Sequence, residues 1–231
     1  MALGLVVVVF FLSFLLSAEV ARAEVCDRPG PPVVSVRTLT KPASVDLTKG
    51  IAQLTGNTSL VAPRNLPEFK YTLGSTEIVP ERNSRIEFGS RQMTSGGVCW
   101  WVTRVQVTVT VHTRVYIAKE IPKDSCVWNH VTQHEAKHVK MDKQLFPKLA
   151  DQVRPGIAKA IAKARTVRDQ AAVEADGREV VGGAIEAAIE AFLVKRNRAQ
   201  LTIDTREEYS KVNNLCGDAA ISAIFAAAGV K

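Results

Sequence analysis

Apolar and polar residues alternate along residues 98–118. Valine occupies every second position through the centre of this segment, with arginine, glutamine or threonine between: Val105, Val107, Val109 and Val111. Successive side chains of a β-strand point to opposite faces. The period of two therefore predicts a strand with one buried face and one solvated face.

The sequence before this strand is rich in turn-forming residues. Pro29-Gly30-Pro31-Pro32 and Ser95-Gly96-Gly97 are the clearest of several breaks between short apolar segments. We expect short strands and loops here, and residues 33–39 and 69–73 are the better strand candidates. Together with residues 98–118, these strands are predicted to form an antiparallel sheet.

A helix is predicted after Pro122. The pair Asp124-Ser125 can cap its first turn, and the helix is expected to run toward Val153, bent or interrupted at Pro147. Apolar residues at helical spacing predict the side that faces the core: Val127, Val131, Leu145 and Leu149.

The remainder of the chain has the pattern of further helices. Residues 157–200 are rich in alanine and charged residues, which predicts one long helix, or two that meet near Gly177 and Gly182-Gly183. Thr205 is followed three residues later by Glu208, so a capping box should open a last helix. Strands followed by helices indicate the α+β class, with a C-terminal helical bundle.

The amino terminus has the features of an export signal. Residues 3–16 are almost entirely apolar, and Ala21-Arg22-Ala23 has the small residues that signal peptidases accept. We expect residues 1–23 to be removed, so that the protein is periplasmic or secreted and has no stable membrane span. The alternative is an uncleaved anchor, although the apolar run is shorter than the roughly 18–20 residues that span a bilayer.

All four cysteines follow the expected cleavage point. An even number of cysteines in an exported chain indicates two disulfides. Three pairings are possible, and we expect Cys99 with Cys126 and Cys26 with Cys216, the second joining the two ends of the mature chain. A metal role for these residues is less favoured because the sequence has no CxxC pair.

The chain is basic, with a formal net charge of +7. An exported basic protein is attracted to anionic polymers of the cell envelope. Nucleic acid is not an expected partner, because the basic residues are spread along the helices and no aromatic-basic recognition motif is present.

The most informative short motif is His134-Glu135-Ala136-Lys137-His138. Residues four apart on a helix share a face, so both imidazoles can bind one metal ion. This is the HExxH pattern of zinc metalloproteases, in which the glutamate is a general base. We therefore expect Zn²⁺ bound by His134 and His138, with Glu135 accepting the proton of the attacking water.

A catalytic zinc site needs a third protein ligand. Asp142 lies about 12 Å along a continuous helix from His134, too far for one ion, so we interpret it as solvated or as a partner of a ligand. If the chain reverses near Arg154-Pro155-Gly156, an antiparallel helix places Glu174 beside the histidines, and Glu174 is the expected third ligand. Five other carboxylates remain open: Asp169, Asp176, Glu186, Glu190 and Glu208.

Several features between residues 97 and 142 resemble a single bacterial family. Its members are predicted secreted zinc-dependent proteases that are still catalogued as a domain of unknown function. The shared features, in chain order, are Gly97-Val98-Cys99, the alternating valines, Ile121-Pro122, Trp128 and the HExxH residues. The resemblance implies the metal role of His134 and His138 and the base role of Glu135.

The leading hypothesis is an exported zinc metallopeptidase that cleaves proteins or peptides. Residues 24–231 would then form one zincin-like domain, mainly β over residues 24–122 and mainly α over residues 123–231. The same chemistry would also permit hydrolysis of an amide in cell-wall peptide. The alternative is a non-catalytic, basic envelope-binding protein with a structural or vestigial metal site.

The placement of a substrate depends on the edges of the sheet. Residues 105–111 directly precede the HExxH helix, and an extended peptide can add to a strand that has a free edge. An internal strand that is paired on both sides would not allow this, and the sequence leaves both arrangements open.

Overall fold

The computed structural model describes Cys26 and residues 29–57, 70–94, 96–162, 165–167 and 170–230. The expected signal, residues 1–23, lies outside the described residues. The fold is α+β, as predicted. Its strands are β1 (Val33–Asp46), β2 (Gly74–Gln92), β3 (Val98–Ile117) and β4 (Arg165–Val167). Its helices are α1 (Ile51–Asn57), α2 (Cys126–Leu145), α3 (Leu149–Ile161), α4 (Gln170–Gln200), α5 (Arg206–Cys216) and α6 (Asp218–Ala228). None of the described helices combines the length and the apolar character needed to cross a bilayer.

β3 occupies the centre of the sheet. It pairs with β2 in the antiparallel sense and with β1 in the parallel sense, with Val36 opposite Val107, and β4 pairs with the start of β3. The sheet is therefore mixed, and the prediction of an antiparallel sheet is wrong for the β1–β3 pair. The chain crosses from β1 to the far edge at β2, and the β2–β3 hairpin then brings β3 into the gap, parallel to β1.

The alternating valines of β3 point into the core, as predicted. All four are at most 2% exposed and pack in one apolar cluster with α3 and α4: Val105, Val107, Val109 and Val111. Both sides of residues 105–111 are paired, with β1 and with β2. An extended substrate therefore has no free edge on β3, and this part of the hypothesis is wrong.

α3 crosses the expected reversal at Arg154-Pro155-Gly156 and continues to Ile161. Every fourth residue of α3 is buried in the apolar cluster: Leu149, Val153, Ile157 and Ile161. Burial of two isoleucines contributes about 3–6 kcal/mol, which outweighs the roughly 3 kcal/mol cost of a proline inside a helix. α3 therefore continues through Pro155 and ends only at Ile161.

α4 runs without interruption through its three glycines, Gly177, Gly182 and Gly183. A Cβ at position 177 would lie 2.8 Å from the Phe88 ring, so glycine there lets the helix approach β2. Residues 157–200 thus contain the end of α3, then β4, then α4. Both predicted arrangements, one long helix or two that meet at the glycines, are wrong.

The C-terminal segment folds as two helices rather than one. Thr205 caps α5, and its hydroxyl accepts a hydrogen bond from the backbone N–H of Glu208 at 3.3 Å, as the capping box predicts. Gly217, with a φ of 77°, separates α5 from α6. The left-handed Gly229 then ends α6 at the predicted position.

The middle of α2 lies between two apolar clusters. The first residues of α2 belong to a cluster with α1, the end of β3 and α6, and the residues that follow α2 belong to the cluster under the sheet. Ser125 caps the helix by accepting from the backbone N–H of Trp128, and a 3₁₀ turn at Phe146–Lys148 interrupts it at Pro147, as predicted.

All four cysteines form disulfides, with Cys26 bonded to Cys99 and Cys126 bonded to Cys216. The predicted count is confirmed, and the predicted pairing is wrong. Cys99 lies near the start of β3 and Cys126 follows its end, so at about 3.3 Å per residue they are tens of ångströms apart. A disulfide requires Cα atoms within about 7 Å.

Candidate metal centre

Three polar residues interrupt the buried face of α2. Buried positions repeat along the helix at spacings of three and four, beginning with valines and continuing with Glu135, His138 and Asp142. These three residues are 3%, 7% and 0% exposed. Because a buried polar group without a partner costs several kcal/mol, the partners of these side chains outline the site.

Three donor atoms converge at the centre of this site. His134 Nε2 and His138 Nε2 are 3.1 Å apart, and each lies 3.2 Å from Asp204 Oδ1. Tetrahedral Zn²⁺ with bonds near 2.0–2.1 Å has donor–donor distances of about 3.3–3.4 Å. The triangle matches one face of such a tetrahedron, so these residues fit a zinc ion with one open position.

Asp204 lies in the short connection between α4 and α5, directly before the Thr205 cap. Burial disfavours its charged form, but hydrogen bonds from His134 and His138 outweigh burial and lower the pKa of Asp204 to about 2. The Tyr209 hydroxyl also donates to Oδ1, at 3.3 Å. The carboxylate is thus kept ionised, as a metal ligand must be.

The outer nitrogens of both histidines also have partners. His138 Nδ1 lies 2.7 Å from Gln200 Oε1, and His134 Nδ1 lies 3.7 Å from Glu208 Oε2. Although burial disfavours the imidazolium, the hydrogen bond to Asp204 and the charges of Glu135 and Asp204 raise the pKa of His138. Such outer partners fix ring orientation in metal sites.

Glu208 is itself held in place by two lysines. Lys137 of α2 and Lys211 of α5 both pair with its carboxylate, and these hydrogen bonds lower the pKa of Glu208 to about 2. The pair with Lys137 joins α5 to the HExxH helix. Glu208 therefore orients one edge of the site and does not belong to the three-atom triangle.

The side chain of Glu135 points from α2 toward the start of β2. Its Oε2 accepts a hydrogen bond from the Thr76 hydroxyl at 2.7 Å, and burial raises its pKa despite the nearby histidines. Gly74 makes this approach possible, because a Cβ there would lie 2.7 Å from Glu135 Oε1 and from Val131. The arrangement favours a carboxylate that can take up a proton.

Asp142 is fully buried beside the site rather than solvated. It accepts two hydrogen bonds from Arg196, at 2.7 and 2.9 Å, and one from Gln200 Nε2 at 2.7 Å. Arg196 also donates to the Thr76 carbonyl at 3.2 Å. The carboxylate of Asp142 is thus bonded to two residues behind the histidines, Arg196 and Gln200, and not to a candidate ligand, so neither interpretation is correct.

Glu174 is not at the site. Gln200 at the end of α4 contacts His138, and Glu174 lies 26 residues earlier on the same helix, or about 39 Å along its axis. Its carboxylate instead accepts hydrogen bonds from Gln170 and Arg178. The expected geometry depended on a reversal at Pro155, and the actual reversal after Ile161 brings the opposite end of α4 to the histidines.

Nor do the other open carboxylates belong to the three-atom triangle. Glu186 pairs with Arg82 at the surface, Glu190 is exposed, Asp176 is half-buried on α4, and the side chain of Asp169 lies outside the described residues. Asp204 lies outside the helical patterns of the sequence and was not among the predicted ligands. Its one sequence signal is a position in a short loop before a helix cap, where functional side chains are common.

The site opens into a cleft of about 690 Å³. Its walls come from residues 70–78 around the start of β2, from α2, from the end of α4, and from α5 and α6. Tyr71, Leu73 and Phe225 contribute apolar surface, and Thr76, Asn197 and Gln200 contribute polar groups. Both histidines of the HExxH motif line this cleft.

A second group of metal-binding residue types is formed by Cys126 and His130 of α2 and Cys216 of α5. In this group the two sulfurs are bonded to each other. A disulfide has no thiolate to offer a metal, so we assign this group a structural role.

The fold and the site define an α+β protein with a candidate metal centre of two histidines and one aspartate. No family model, curated protein or solved structure matches this chain. The resemblance to secreted zinc-dependent proteases therefore stays a prediction, and the function is argued from the site.

Proposed function

We propose that this protein is a zinc-dependent peptidase. The observation that carries the proposal is the convergence of three donor atoms of His134, His138 and Asp204 at 3.1–3.2 Å, inside a cleft and beside the buried Glu135. Two imidazoles and one carboxylate with an open fourth position are the donor set of hydrolytic zinc sites.

In this proposal, Glu135 is the general base. Zinc, when bound, lowers the pKa of a water molecule toward 7 and polarises the substrate carbonyl. Glu135 takes a proton from the attacking water as the oxygen of the water bonds to the carbonyl carbon of the substrate. The carboxyl then gives the proton to the amine nitrogen as the C–N bond breaks, so that the glutamate is regenerated. Burial supports this role because a raised pKa makes proton uptake easier.

The disulfides support a location outside the cytoplasm. Structural disulfides persist in oxidising compartments and are rare where glutathione keeps thiols reduced. We propose that the protein acts in the periplasm or outside the cell, on protein or peptide, and that its basic surface brings it to anionic envelope polymers.

Substitution of Glu135 by glutamine tests the proposal. The purified protein, with both disulfides formed, should bind about one zinc ion and cleave an unfolded protein such as reduced casein, and a chelator should stop cleavage. Glu135→Gln should still bind zinc and lose at least about 100-fold in rate, the size of a general-base contribution. Glu207→Gln is a matched control, because Glu207 lies on the exposed face of α5, and it should cleave like the wild type.

Two results would contradict the proposal. One is equal cleavage by Glu135→Gln and wild type, since the base role requires the carboxylate. The other is a wild-type protein without stoichiometric metal, which would favour the non-catalytic envelope-binding alternative.

A further inference from the structure

We propose that the cleft binds a large apolar side chain of the substrate, on a residue next to the bond that is cleaved. The inference names the substrate class of the proposed peptidase and so rests on the proposed function. The surface that holds this side chain, the apolar wall, consists of residues that line the cleft and also pack in the cluster with α1, the end of β3 and α6. They are Tyr71, Leu73, Val131, Val212, Ile221 and Phe225.

The apolar wall is held in place by packing behind it. The rings of Tyr71 and Phe225 have centroids 4.9 Å apart. Ile221 lies one turn before Phe225 on α6, so the two side chains share a face of that helix. Ile221 and Val131 are 7% and 5% exposed, and the other members are half-buried against the same cluster. The wall is therefore a preformed apolar surface, as is usual for the pockets that bind small ligands.

The apolar wall reaches the proposed base. Val131 precedes Glu135 by one turn of α2. A Cβ at position 74 would lie 2.7 Å from Val131 Cγ1 and 2.7 Å from Glu135 Oε1, so these two side chains meet over Gly74. Leu73 directly precedes Gly74 in the chain. A substrate side chain on the wall is thus beside the carboxylate that takes the proton.

The apolar wall also approaches His134. The ring centroids of Tyr209 and His134 are 5.7 Å apart, and Val212 follows Tyr209 by three residues on α5, where such side chains are neighbours. The two α-carbons that flank a peptide bond are about 3.8 Å apart. The side chains on either side of the reacting bond are therefore the ones that can reach the wall.

The charged side chains of the cleft are less suited to bind a substrate side chain. Among the described residues, four lysines and arginines line the cleft. Three of them already pair with carboxylates: Lys137 and Lys211 with Glu208, and Arg196 with Asp142. An apolar side chain leaves these pairs intact. The fourth is Lys70, beside Tyr71, so an acidic substrate side chain is the competing choice.

Cleavage of short peptides tests the inference. The peptides are made of alanine, glycine and serine with one leucine, and the zinc-loaded protein with both disulfides should cut next to the leucine, as read by mass spectrometry. Replacing the leucine by alanine should lower kcat/KM about 10–100-fold, because an apolar contact in the pocket is lost. Aspartate at the same position should lower kcat/KM at least as much.

Two opposite substitutions test the apolar wall itself. Val212→Phe narrows the pocket from α5, so the ratio of kcat/KM for leucine over alanine should fall about tenfold. Phe225→Ala widens it from α6, so the ratio for tryptophan over leucine should rise about tenfold. Val194→Phe is the matched control, because Val194 is 56% exposed on α4 and is not part of the cleft lining. It should keep the wild-type ratios. A loss of stability alone would change the rates for all peptides equally.

Binding separates the apolar wall from the chemistry. In the presence of zinc, Glu135→Gln should bind the leucine peptide about tenfold more tightly than the alanine peptide, as measured by fluorescence anisotropy. Equal kcat/KM for leucine and alanine peptides would overturn the inference, and a preference for aspartate would assign the side chain to Lys70 instead. Unchanged ratios in folded Val212→Phe and Phe225→Ala would also overturn it. A wild-type protein that cleaves no peptide would contradict the peptidase, while the anisotropy measurement would still decide the role of the wall.

Discussion

Two groups of side chains of the types that bind metals are centred on consecutive turns of α2, and they differ in what their donor atoms do. Cys126 and His130, with Cys216 from α5, form the first group, and His134 and His138, with Asp204, form the second. In the first group the two sulfurs are bonded to each other. In the second, two imidazole nitrogens and one carboxylate oxygen face one another at 3.1–3.2 Å and form no covalent bond with each other.

The comparison teaches that residue type and spacing do not by themselves define a metal site. Both groups have suitable residues four apart on one helix. In the first group the two sulfurs form a disulfide, which joins α5 to α2. The second keeps its donors directed inward, because Gln200 and Glu208 hold the outer edges of the rings. The first group thus stabilises the element that orients the second.

Removal of the first group should have the largest effect, on stability. Replacing Cys126 and Cys216 together by serine opens a loop that spans 90 residues. The free energy of unfolding should fall by about 2–5 kcal/mol, as measured by urea denaturation. The folded variant should still bind one zinc ion, because neither sulfur contacts the triangle. A folded variant that has lost its metal would show that the two groups share one site.

Removal of a donor from the second group should mainly affect metal binding. Asp204→Asn keeps the shape of the side chain and removes its charge, so Zn²⁺ affinity should fall by more than about 100-fold, beyond the effect of an outer partner. Competition with a chelator measures this. Glu174→Gln is the matched control, because Glu174 pairs with Arg178 far along α4, and its affinity should match the wild type. Equal loss in both variants would contradict the assignment of Asp204.

The carboxylate of Asp204 should also make stability depend on pH. Its pKa is lowered to about 2 in the folded, metal-free protein, against an ordinary value near 3.9. A lowered pKa stabilises the fold above the ordinary value, and this stabilisation is lost as the pH falls toward 2. At pH 6 the free energy of unfolding of metal-free wild type, measured by urea denaturation, should be about 2 kcal/mol higher than that of Asp204→Asn. This difference should become smaller below pH 4. A difference that does not vary with pH would contradict the ion pairing.

His130→Ala should have the smallest effect. His130 belongs to the first group and is one turn of α2 from His134, but its donors are not part of the triangle. We expect zinc affinity within about threefold of wild type, measured by the same competition. A loss comparable to that of Asp204→Asn would place His130 among the ligands.

Local patterns in the sequence predicted the local structure. The alternating valines gave β3, Ser125 and Pro147 marked the limits of α2, and Thr205 marked the start of α5. Each depends on residues within a few positions of one another. The HExxH spacing placed His134 and His138 together for the same reason, since four residues make about one helical turn.

Features that depend on distant parts of the chain were not predictable in this way. The parallel β1–β3 pair, the two disulfide pairings and the approach of Asp204 all join segments dozens of residues apart. The prediction of Glu174 as third ligand was wrong because the tendency of Pro155 to end a helix was outweighed by burial of Ile157 and Ile161. Because the chain reverses beyond Ile161 rather than at Pro155, the opposite end of α4 faces the histidines.

X-ray absorption at the zinc edge of the oxidised protein tests the central claim most directly, since it reports which group holds the metal. We predict one zinc ion with only nitrogen and oxygen neighbours at about 2.0–2.1 Å, from His134, His138 and Asp204. A sulfur neighbour at about 2.3 Å would assign the metal to the cysteine group, and protein without stoichiometric zinc would contradict a metal centre on α2.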